Sequence, residues 1–125
     1  MKNKHLKNFK IYVAGHNGMV GRALVRYLKK EGVKNIIFAN RKSLNLLDTK
    51  VLEKFIKSKK PDIVINCAGR VGGILANSSY PVEFINENIF IQLNLINLAY
   101  KHKIKHFVNL GSSCIYPKNS KQPIK

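Results

Sequence analysis

The sequence contains no tryptophan, only two cysteines and only six acidic residues in 125 positions. Cys67 and Cys114 lie in separate segments without metal-ligand spacing, which favours reduced thiols over a disulfide framework, and we expect no metal site. No apolar run approaches the roughly 20 residues that would span a bilayer. These absences exclude a membrane-embedded chain, and together they favour a cytoplasmic one.

The shortage of acids has a counterpart in 23 lysines and arginines, which give a formal net charge of +17. Such a charge attracts phosphate polyanions. The lysines, however, are spread over predicted helix faces and ends, without interleaved aromatics and without a zinc-finger or RNP-type motif. We therefore expect no specific nucleic-acid partner, and we interpret most of the charge as a solvated surface.

Apolar runs alternate with segments of helical periodicity, which is typical of a parallel α/β sheet. Strands are predicted at residues 10–14, 35–39, 62–67 and 106–110. Helices are predicted at residues 19–30, after the N-cap Asp48, and after Pro81, where Ile85, Ile89, Leu93, Ile96 and Ala99 recur every three or four residues. Right-handed crossovers predict a doubly wound sheet of strand order 3-2-1-4.

Ligands of such sheets bind at the carboxyl ends of the strands, where the strand order reverses. The segments to inspect are therefore residues 15–21, 40–41, 68–77 and 111–116. The first of them reads G-H-N-G-M-V-G and opens directly into a helix. Glycines allow a tight turn and close approach of the backbone to a pyrophosphate, whose charge meets the positive end of the helix. The alternative is a plain strand-to-helix turn.

These features predict an NAD(P)-binding Rossmann fold, partial in this chain, over residues 10–125, preceded by a basic extension at residues 1–9. Strand two ends at Asn40 and Arg41, where NAD enzymes carry an acid for the ribose and NADP enzymes an arginine for the 2′-phosphate. The pattern favours NADP(H) as the cofactor. The alternative is that Arg41 is one more solvated cation.

Several motifs carry a more specific resemblance. They are A-G-H at 14–16, G-M-V-G at 18–21, L-N-L-L-D at 44–48, V-G-G-I at 71–74, A-N at 76–77, Y-P at 80–81 and L-G-S-S-C-I-Y-P-K at 110–118. In this order they resemble the GDP-L-fucose synthase family, within the extended short-chain dehydrogenases. The resemblance implies a homodimeric NADPH-dependent enzyme that converts GDP-4-keto-6-deoxy-D-mannose to GDP-L-fucose by 3,5-epimerisation and 4-keto reduction.

The resemblance also implies residue roles. Residues 15–21 would hold the cofactor phosphates, residues 41–46 its adenosine half, and residues 110–113 its nicotinamide side. The implied cofactor-binding residues are Gly15, His16, Asn17, Gly18, Met19, Val20, Gly21, Arg41, Leu44, Asn45, Leu46, Ala68, Leu110, Gly111, Ser112 and Ser113.

The implied catalytic residues are Ser112, as hydrogen-bond donor to the 4-keto oxygen, and Cys114, as an acid-base group of the epimerisation. Hydride transfer develops negative charge on that oxygen, which a fixed hydroxyl stabilises, and a thiol exchanges protons near neutral pH. The alternatives are a Ser112 that bonds backbone in a turn and a Cys114 that is a small buried hydrophobe.

The sequence departs from the family pattern in two places. Members often carry an arginine where Asn17 stands, which leaves NAD open as an alternative to NADP. No tyrosine is followed four residues later by lysine, so we expect that pair beyond Lys125 and expect the fragment alone to be inactive. Two further readings stay open at this point: another nucleotide-sugar epimerase or dehydratase, and a non-catalytic dinucleotide-sensing module. For His16, loop packing is the alternative to a contact with the cofactor.

Overall fold

A four-stranded parallel sheet forms the centre of the chain in a computed structural model that describes residues 4–112, 115–117 and 119–123. This confirms the predicted α/β class. After a short 3-10 helix at Lys4–Asn8, the elements are β1 (Ile11–Ala14), α1 (Met19–Lys30), β2 (Ile36–Ile37), α2 (Thr49–Lys59), β3 (Ile63–Asn66), α3 (Ile74–Ser79), α4 (Pro81–Lys101) and β4 (His106–Asn109).

The strand order is β2-β1-β3-β4, so the predicted order 3-2-1-4 is wrong. β3 pairs with β1 along its whole length, from Ile11 opposite Ile63 to Ala14 opposite Asn66, and does not lie beyond β2. The physical reason is burial. An apolar parallel strand needs cover on both faces and a neighbour on each side, and three of the four β3 residues are buried whereas both β2 residues are only partly so.

The direction of chain travel therefore reverses at β1. The chain moves from β1 outward to β2, crosses back to β3 on the other side of β1, and continues outward to β4. Since crossovers of parallel strands are right-handed, a reversal of direction moves the connecting helix to the opposite face. Accordingly α1 packs on one face of the sheet, and α2 and α4 pack on the other.

The core consists of two layers that follow the alternation of β1. Tyr12 and Ala14 point toward α2 and α4, where they join a cluster with Leu52, Leu95 and others. Ile11 and Val13 point toward α1 and join Leu28, Val33 and Ile63. Successive strand residues face opposite sides of a sheet, so a continuous apolar strand serves both layers.

Local signals set the helix boundaries. The Asp48 carboxylate accepts a hydrogen bond of 3.0 Å from the Val51 amide, which confirms the predicted N-cap of α2. Gly32 follows the end of α1 with a φ of +83°, a conformation that favours glycine. The short helix α3 lies in the segment between β3 and α4, where the sequence predicted no helix.

The periodicity of α4 predicted a helix but not the face that packs on the sheet. Ile85, Ile89, Leu93 and Ile96 are between 45% and 60% exposed. The residues that join the core cluster on the sheet are instead Ile91, Leu95 and Leu98. Phe84 is buried against the segment after β3, beside Gly72, and Ala99 of the predicted pattern is buried at 6% exposure. Because α4 is apolar on more than one side, a spacing of three or four residues does not decide which side faces the core.

The segment before β1 is attached to the domain. Leu6 and Phe9 are partly buried and pack against the cluster around Leu28. The boundary between a basic extension and the domain stays a prediction. Across the described ranges, none of the helices has the length and apolar character needed to cross a bilayer.

A charge cluster joins α2 to the end of α4. The Glu53 carboxylate lies 2.9 Å from the Lys101 ammonium, 3.2 Å from that of Lys57 and 3.2 Å from the His102 ring. Hydrogen bonds from Lys101 and then Lys57 lower the pKa of Glu53 from 4.5 to about 2. The charged carboxylate is thus favoured in the folded chain.

This shift predicts a pH-dependent contribution of Glu53 to stability. A carboxyl group with a lowered pKa stabilises the fold above its unfolded pKa, and this contribution is lost as the pH falls from about 4.5 toward 2. Glu53→Gln should therefore lower the melting temperature at pH 7, with a difference from wild type that shrinks below pH 4.5. Glu83→Gln, on an exposed position of α4, is the matched control. A difference that stays constant down to pH 3 would contradict the assignment.

Candidate functional site

A cleft of about 470 Å³ opens where β1 and β3 end. Its walls come from the segments that follow β1, β2 and β3, and from one side of α4. It is lined by Tyr12, Gly15, His16, Asn17, Gly18, Met19, Val20, Ala39, Arg41, Leu44, Asn45, Leu46, Leu47, Cys67, Ala68, Gly69, Arg70, Val71, Glu87 and Ile91.

The cleft brings together most of the residues that the sequence singled out. Those on its wall are Gly15, His16, Asn17, Gly18, Met19, Val20, Arg41, Leu44, Asn45, Leu46 and Ala68. Gly21 lies in the first turn of α1 beneath the loop. Leu110, Gly111 and Ser112 follow β4 and are not among the described residues that line the cleft. Ser113 and Cys114 lie outside the described residues.

Two of the three glycines of the loop are required by close backbone contacts. Gly15 has a φ of +77°, and a Cβ there would meet the Ala68 nitrogen at 2.6 Å. A Cβ at Gly21 would overlap the Gly15 carbonyl oxygen and approach the His16 Cα at 2.7 Å. The segments after β1 and β3 and the start of α1 therefore meet with no room for side chains.

This contact aims the start of α1 into the cleft. Gly18 is the N-cap of α1, and its amide donates to the Gly15 carbonyl over 3.0 Å. The first amides of a helix have no acceptor within the helix and carry the positive end of its dipole. Since Met19 and Val20 line the cleft, this end of the helix is suited to hold a phosphate.

Hydrogen bonds hold the loop against the end of β2. The Asn17 amide group donates to the Asn40 side-chain oxygen over 2.9 Å, and the Arg22 guanidinium donates to the Asn17 carbonyl over 2.8 Å. The ring of His16 stacks on that of Phe38, with centroids 4.7 Å apart. His16 thus packs against an aromatic ring, as the loop-packing alternative proposed, and also lines the cleft.

The opposite wall is fixed by a buried asparagine of α4. The Asn94 side-chain amide donates to the carbonyls of Leu46 and Leu47 over 2.9 and 3.3 Å, and its oxygen accepts from the Thr49 hydroxyl over 3.0 Å. The side chain is satisfied although the residue is only 8% exposed. It positions the segment that begins at the buried Leu44 and was expected to face the adenosine half of a cofactor.

A second asparagine of α4 holds the segment after β3. The Arg70 amide donates to the Asn88 side-chain oxygen over 2.8 Å, and the Asn88 amide group donates back to the Arg70 carbonyl over 3.0 Å. The Arg70 guanidinium lies over the Phe84 ring at 4.8 Å from its centroid. Backbone and side chain of Arg70 are therefore both fixed by α4.

The cleft contains an acidic residue, Glu87, that local sequence patterns did not predict there. Glu87 of α4 contacts Arg70 over 2.6 Å through one carboxylate oxygen and Arg41 over 3.5 Å through the other. It lies next to the arginine expected to meet a 2′-phosphate, although no acid stands near Arg41 in the sequence. Glu87 comes from a helix 46 positions further along the chain.

Polar side chains join the ends of β3 and β4 beside the cleft. The buried Asn66 donates to the Asn109 side-chain oxygen over 2.8 Å and accepts from the Ala68 amide over 3.0 Å. The Leu110 amide donates to the Asn66 carbonyl over 3.2 Å. Because β3 and β4 are parallel, the segment that carries Ser112 leaves β4 at the edge of the sheet where the cleft opens.

Cys67 lines the cleft but lacks the character of a reactive thiol. It is partly buried, and burial raises its pKa, which favours the neutral thiol. We therefore assign it to packing against the hydrophobic cluster around Leu28.

Sequence reasoning missed Asn88, Asn94 and Glu87 of α4. It also did not single out Arg70, although this residue lies within the inspected segment 68–77. A usable signal was present, because asparagines inside a mostly apolar helix need buried partners. Their partners outside α4, however, lie between 18 and 48 positions away in sequence, and no local periodicity connects them.

Together the reversed parallel sheet, the glycine loop and the helix start in one cleft define a Rossmann-type dinucleotide-binding fold. Comparison with known proteins gives the family. Residues 11–125 match the model of the NAD dependent epimerase/dehydratase family. The chain belongs to that family.

Individual relatives agree with this. The chain is 48% identical over 118 residues to GDP-L-fucose synthase 1 of Arabidopsis thaliana, covering 94% of this chain and 36% of that protein. It is 43% identical over 115 residues to GDP-L-fucose synthase of Escherichia coli K12, covering 92% and 36%. Among solved structures, the GDP-mannoheptose C4 reductase MlghC of Campylobacter jejuni, with NADP bound, matches with a TM-score of 0.90 and 39% identity, covering 95% and 35%. The chain spans about a third of the length of these proteins.

The close contact at Gly21 predicts that replacing this helix glycine by alanine lowers the stability of the fold, whereas the same replacement usually raises it. Glycine to alanine inside a helix ordinarily stabilises by about 0.5 to 1 kcal/mol. At Gly21 the added methyl group would collide with backbone of the loop, and we expect Gly21→Ala to destabilise by about 2 kcal/mol. Urea unfolding measures the change. Gly111→Ala, where a Cβ meets nothing within 4 Å, is the control, and equal effects at the two positions would contradict the packing account.

Proposed function

We propose that this chain is the NADP(H)-binding N-terminal part of an enzyme that converts GDP-4-keto-6-deoxy-D-mannose to GDP-L-fucose. The enzyme would perform 3,5-epimerisation and 4-keto reduction. The observation that carries the proposal is the cleft with its glycine loop and Arg41, in a chain 43–48% identical to GDP-L-fucose synthases.

The cleft supports a dinucleotide in its shape and charge. The absence of side chains at Gly15 and Gly18 leaves the first turn of α1 open toward a pyrophosphate. The apolar Leu44 and Leu46 lie beside the position of Arg41 on the same wall. An apolar surface next to a cation suits an adenine ring whose ribose carries a phosphate, and MlghC was solved with NADP bound.

NADPH supplies the hydride for reduction of the ketone. In our proposal the residues of this chain hold and orient the reactants: the loop at residues 15–21 binds the cofactor phosphates, and Ser112 donates a hydrogen bond to the 4-keto oxygen. A donor placed where negative charge develops lowers the barrier. Cys114 would return or remove a proton at the carbons beside the ketone.

We further propose that the full-length protein is a homodimer. In support, α4 presents an apolar stripe formed by Ile85, Ile89, Leu93 and Ile96, each 45–60% exposed. Exposed apolar patches of this kind mark surfaces that other segments or subunits cover. Sedimentation of the full-length protein should give twice the monomer mass, and a monomer at micromolar concentration would contradict the proposal.

Cofactor preference tests the proposed NADP site. Calorimetry on the full-length protein should show tighter binding of NADPH than of NADH. Arg41→Ala should weaken NADPH binding about ten- to hundredfold and leave NADH binding unchanged, because charge-assisted hydrogen bonds to a phosphate are lost. Arg26→Ala, an exposed position on α1, is the matched control. Equal affinities for the two cofactors in wild type would contradict the assignment.

The two implied catalytic residues should fail in different ways. Ser112→Ala should slow hydride transfer by roughly a hundredfold to a thousandfold, the usual effect of losing one donor to a developing oxyanion. Cys114→Ser should suppress deuterium incorporation beside the ketone in deuterated water, while reduction of an already epimerised intermediate continues. NADPH absorbance and mass spectrometry of the product separate the two effects. Normal deuterium incorporation in Cys114→Ser would remove Cys114 from the mechanism.

A further inference from the structure

Two arginines from different segments meet at one carboxylate inside the cleft. Arg41 follows β2, Arg70 follows β3, and Glu87 projects between them from α4. Each oxygen of the Glu87 carboxylate contacts one guanidinium: Oε2 lies 3.5 Å from a nitrogen of Arg41, and Oε1 lies 2.6 Å from a nitrogen of Arg70. All three residues line the cleft, so the arrangement belongs to the ligand-binding surface.

We propose that Arg41 and Arg70 form a two-arginine site for the 2′-phosphate of NADP(H), and that Glu87 occupies this site until the phosphate displaces it. The inference rests on the proposed function and deepens it, because it assigns Arg70 as a second phosphate ligand and Glu87 as the residue that tunes selectivity between NADP(H) and NAD(H).

The charges of the group fit this exchange. A carboxylate offers two oxygens and one negative charge, whereas a phosphate monoester offers three oxygens and a charge between about −1.5 and −2. Two guanidinium groups with one carboxylate between them keep a net positive charge. A phosphate can therefore bond both arginines and neutralise them more completely than Glu87 does.

The two arginines differ in how firmly they are held. The Arg70 side chain is 30% exposed and is fixed by Phe84 and by the Asn88 bonds to its backbone, whereas the Arg41 side chain is 81% exposed. A group that is already fixed loses little conformational entropy on binding a ligand. Arg70 therefore serves as the preformed half of the site, and Arg41 contacts the phosphate from the solvent-exposed side.

Glu87 is also suited to leave. Its bond to Arg41 spans 3.5 Å at a strongly exposed side chain, and exposed ion pairs of this kind contribute little. Its shorter bond to Arg70, at 2.6 Å, is the contact that the phosphate must replace with a charge-assisted hydrogen bond of its own. The side chain of Glu87 is 23% exposed, so solvent can receive the displaced carboxylate. Glu87 competes with the 2′-phosphate for the two arginines. This competition lowers the affinity for NADP(H) and leaves the affinity for NAD(H) unchanged.

Binding of adenosine 2′,5′-bisphosphate and of 5′-AMP to the full-length protein tests the inference, because the two ligands differ only by the 2′-phosphate. Arg70→Gln should weaken binding of the bisphosphate about tenfold and leave 5′-AMP unchanged. Glu87→Gln should strengthen binding of the bisphosphate about threefold and again leave 5′-AMP unchanged. A gain in affinity is a readout that a misfolded variant cannot give.

Matched controls separate local contacts from net charge. Arg26→Gln on α1 and Glu83→Gln on α4 make the same charge changes at exposed positions, and both should leave the ratio of the two affinities unchanged. The inference is overturned if Arg70→Gln weakens both ligands equally, or if Glu87→Gln weakens the bisphosphate. If wild type itself does not prefer the bisphosphate over 5′-AMP, the proposed NADP site fails as well. If that preference is present but insensitive to Arg70, only this inference fails.

Discussion

The cleft depends on the approach of three backbone segments to within contact distance. At Gly15 the chain after β1 touches the chain after β3, and at Gly21 the first turn of α1 touches the loop that precedes it. Side chains at either position would separate these segments. The central strands β1 and β3 are paired in register, from Ile11 opposite Ile63 to Ala14 opposite Asn66. The glycine contacts at the ends of these strands therefore fix both where α1 begins and where the cleft lies.

Helix α4 stabilises this arrangement from the opposite wall. Asn94 holds the segment after β2, Asn88 holds the segment after β3, and Glu87 joins an arginine from each. A buried amide that satisfies two carbonyls fixes their position, because a lost bond would leave polar groups without partners. One helix therefore holds both the segment after β2 and the segment after β3 at the wall of the cleft.

The sequence carried much of this architecture in local signals. The four strands, the N-cap Asp48 and the glycine loop follow from apolar runs and short motifs, and each is present. The strand order could not be read in the same way, because it depends on whether the chain crosses back over β1, and only the burial of β3 on both faces decides that. The packed face of α4 was hidden for a similar reason, since the helix is apolar on two sides.

The sequence predicted the parts of the site that lie in one short segment. It did not predict the parts that form where residues from distant segments meet. Residues 15–20 and 41–46 supply cleft residues from two short segments, and motif spacing placed them. Arg70 and Glu87 meet Arg41 only after two crossovers have brought their segments to one edge of the sheet. The absence of an acid beside Arg41 in the sequence had favoured NADP(H). The carboxylate of Glu87 in the cleft was therefore unexpected.

A crystal structure of the full-length protein with NADPH bound would show whether the cofactor occupies the cleft. We expect the pyrophosphate to lie on the amides at the start of α1 and the adenine to lie beside Leu44 and Leu46. We expect the 2′-phosphate to lie between Arg41 and Arg70, with the Glu87 carboxylate turned away from both. Cofactor bound outside the cleft at the ends of β1 and β3, with the loop at residues 15–21 empty, would contradict this expectation.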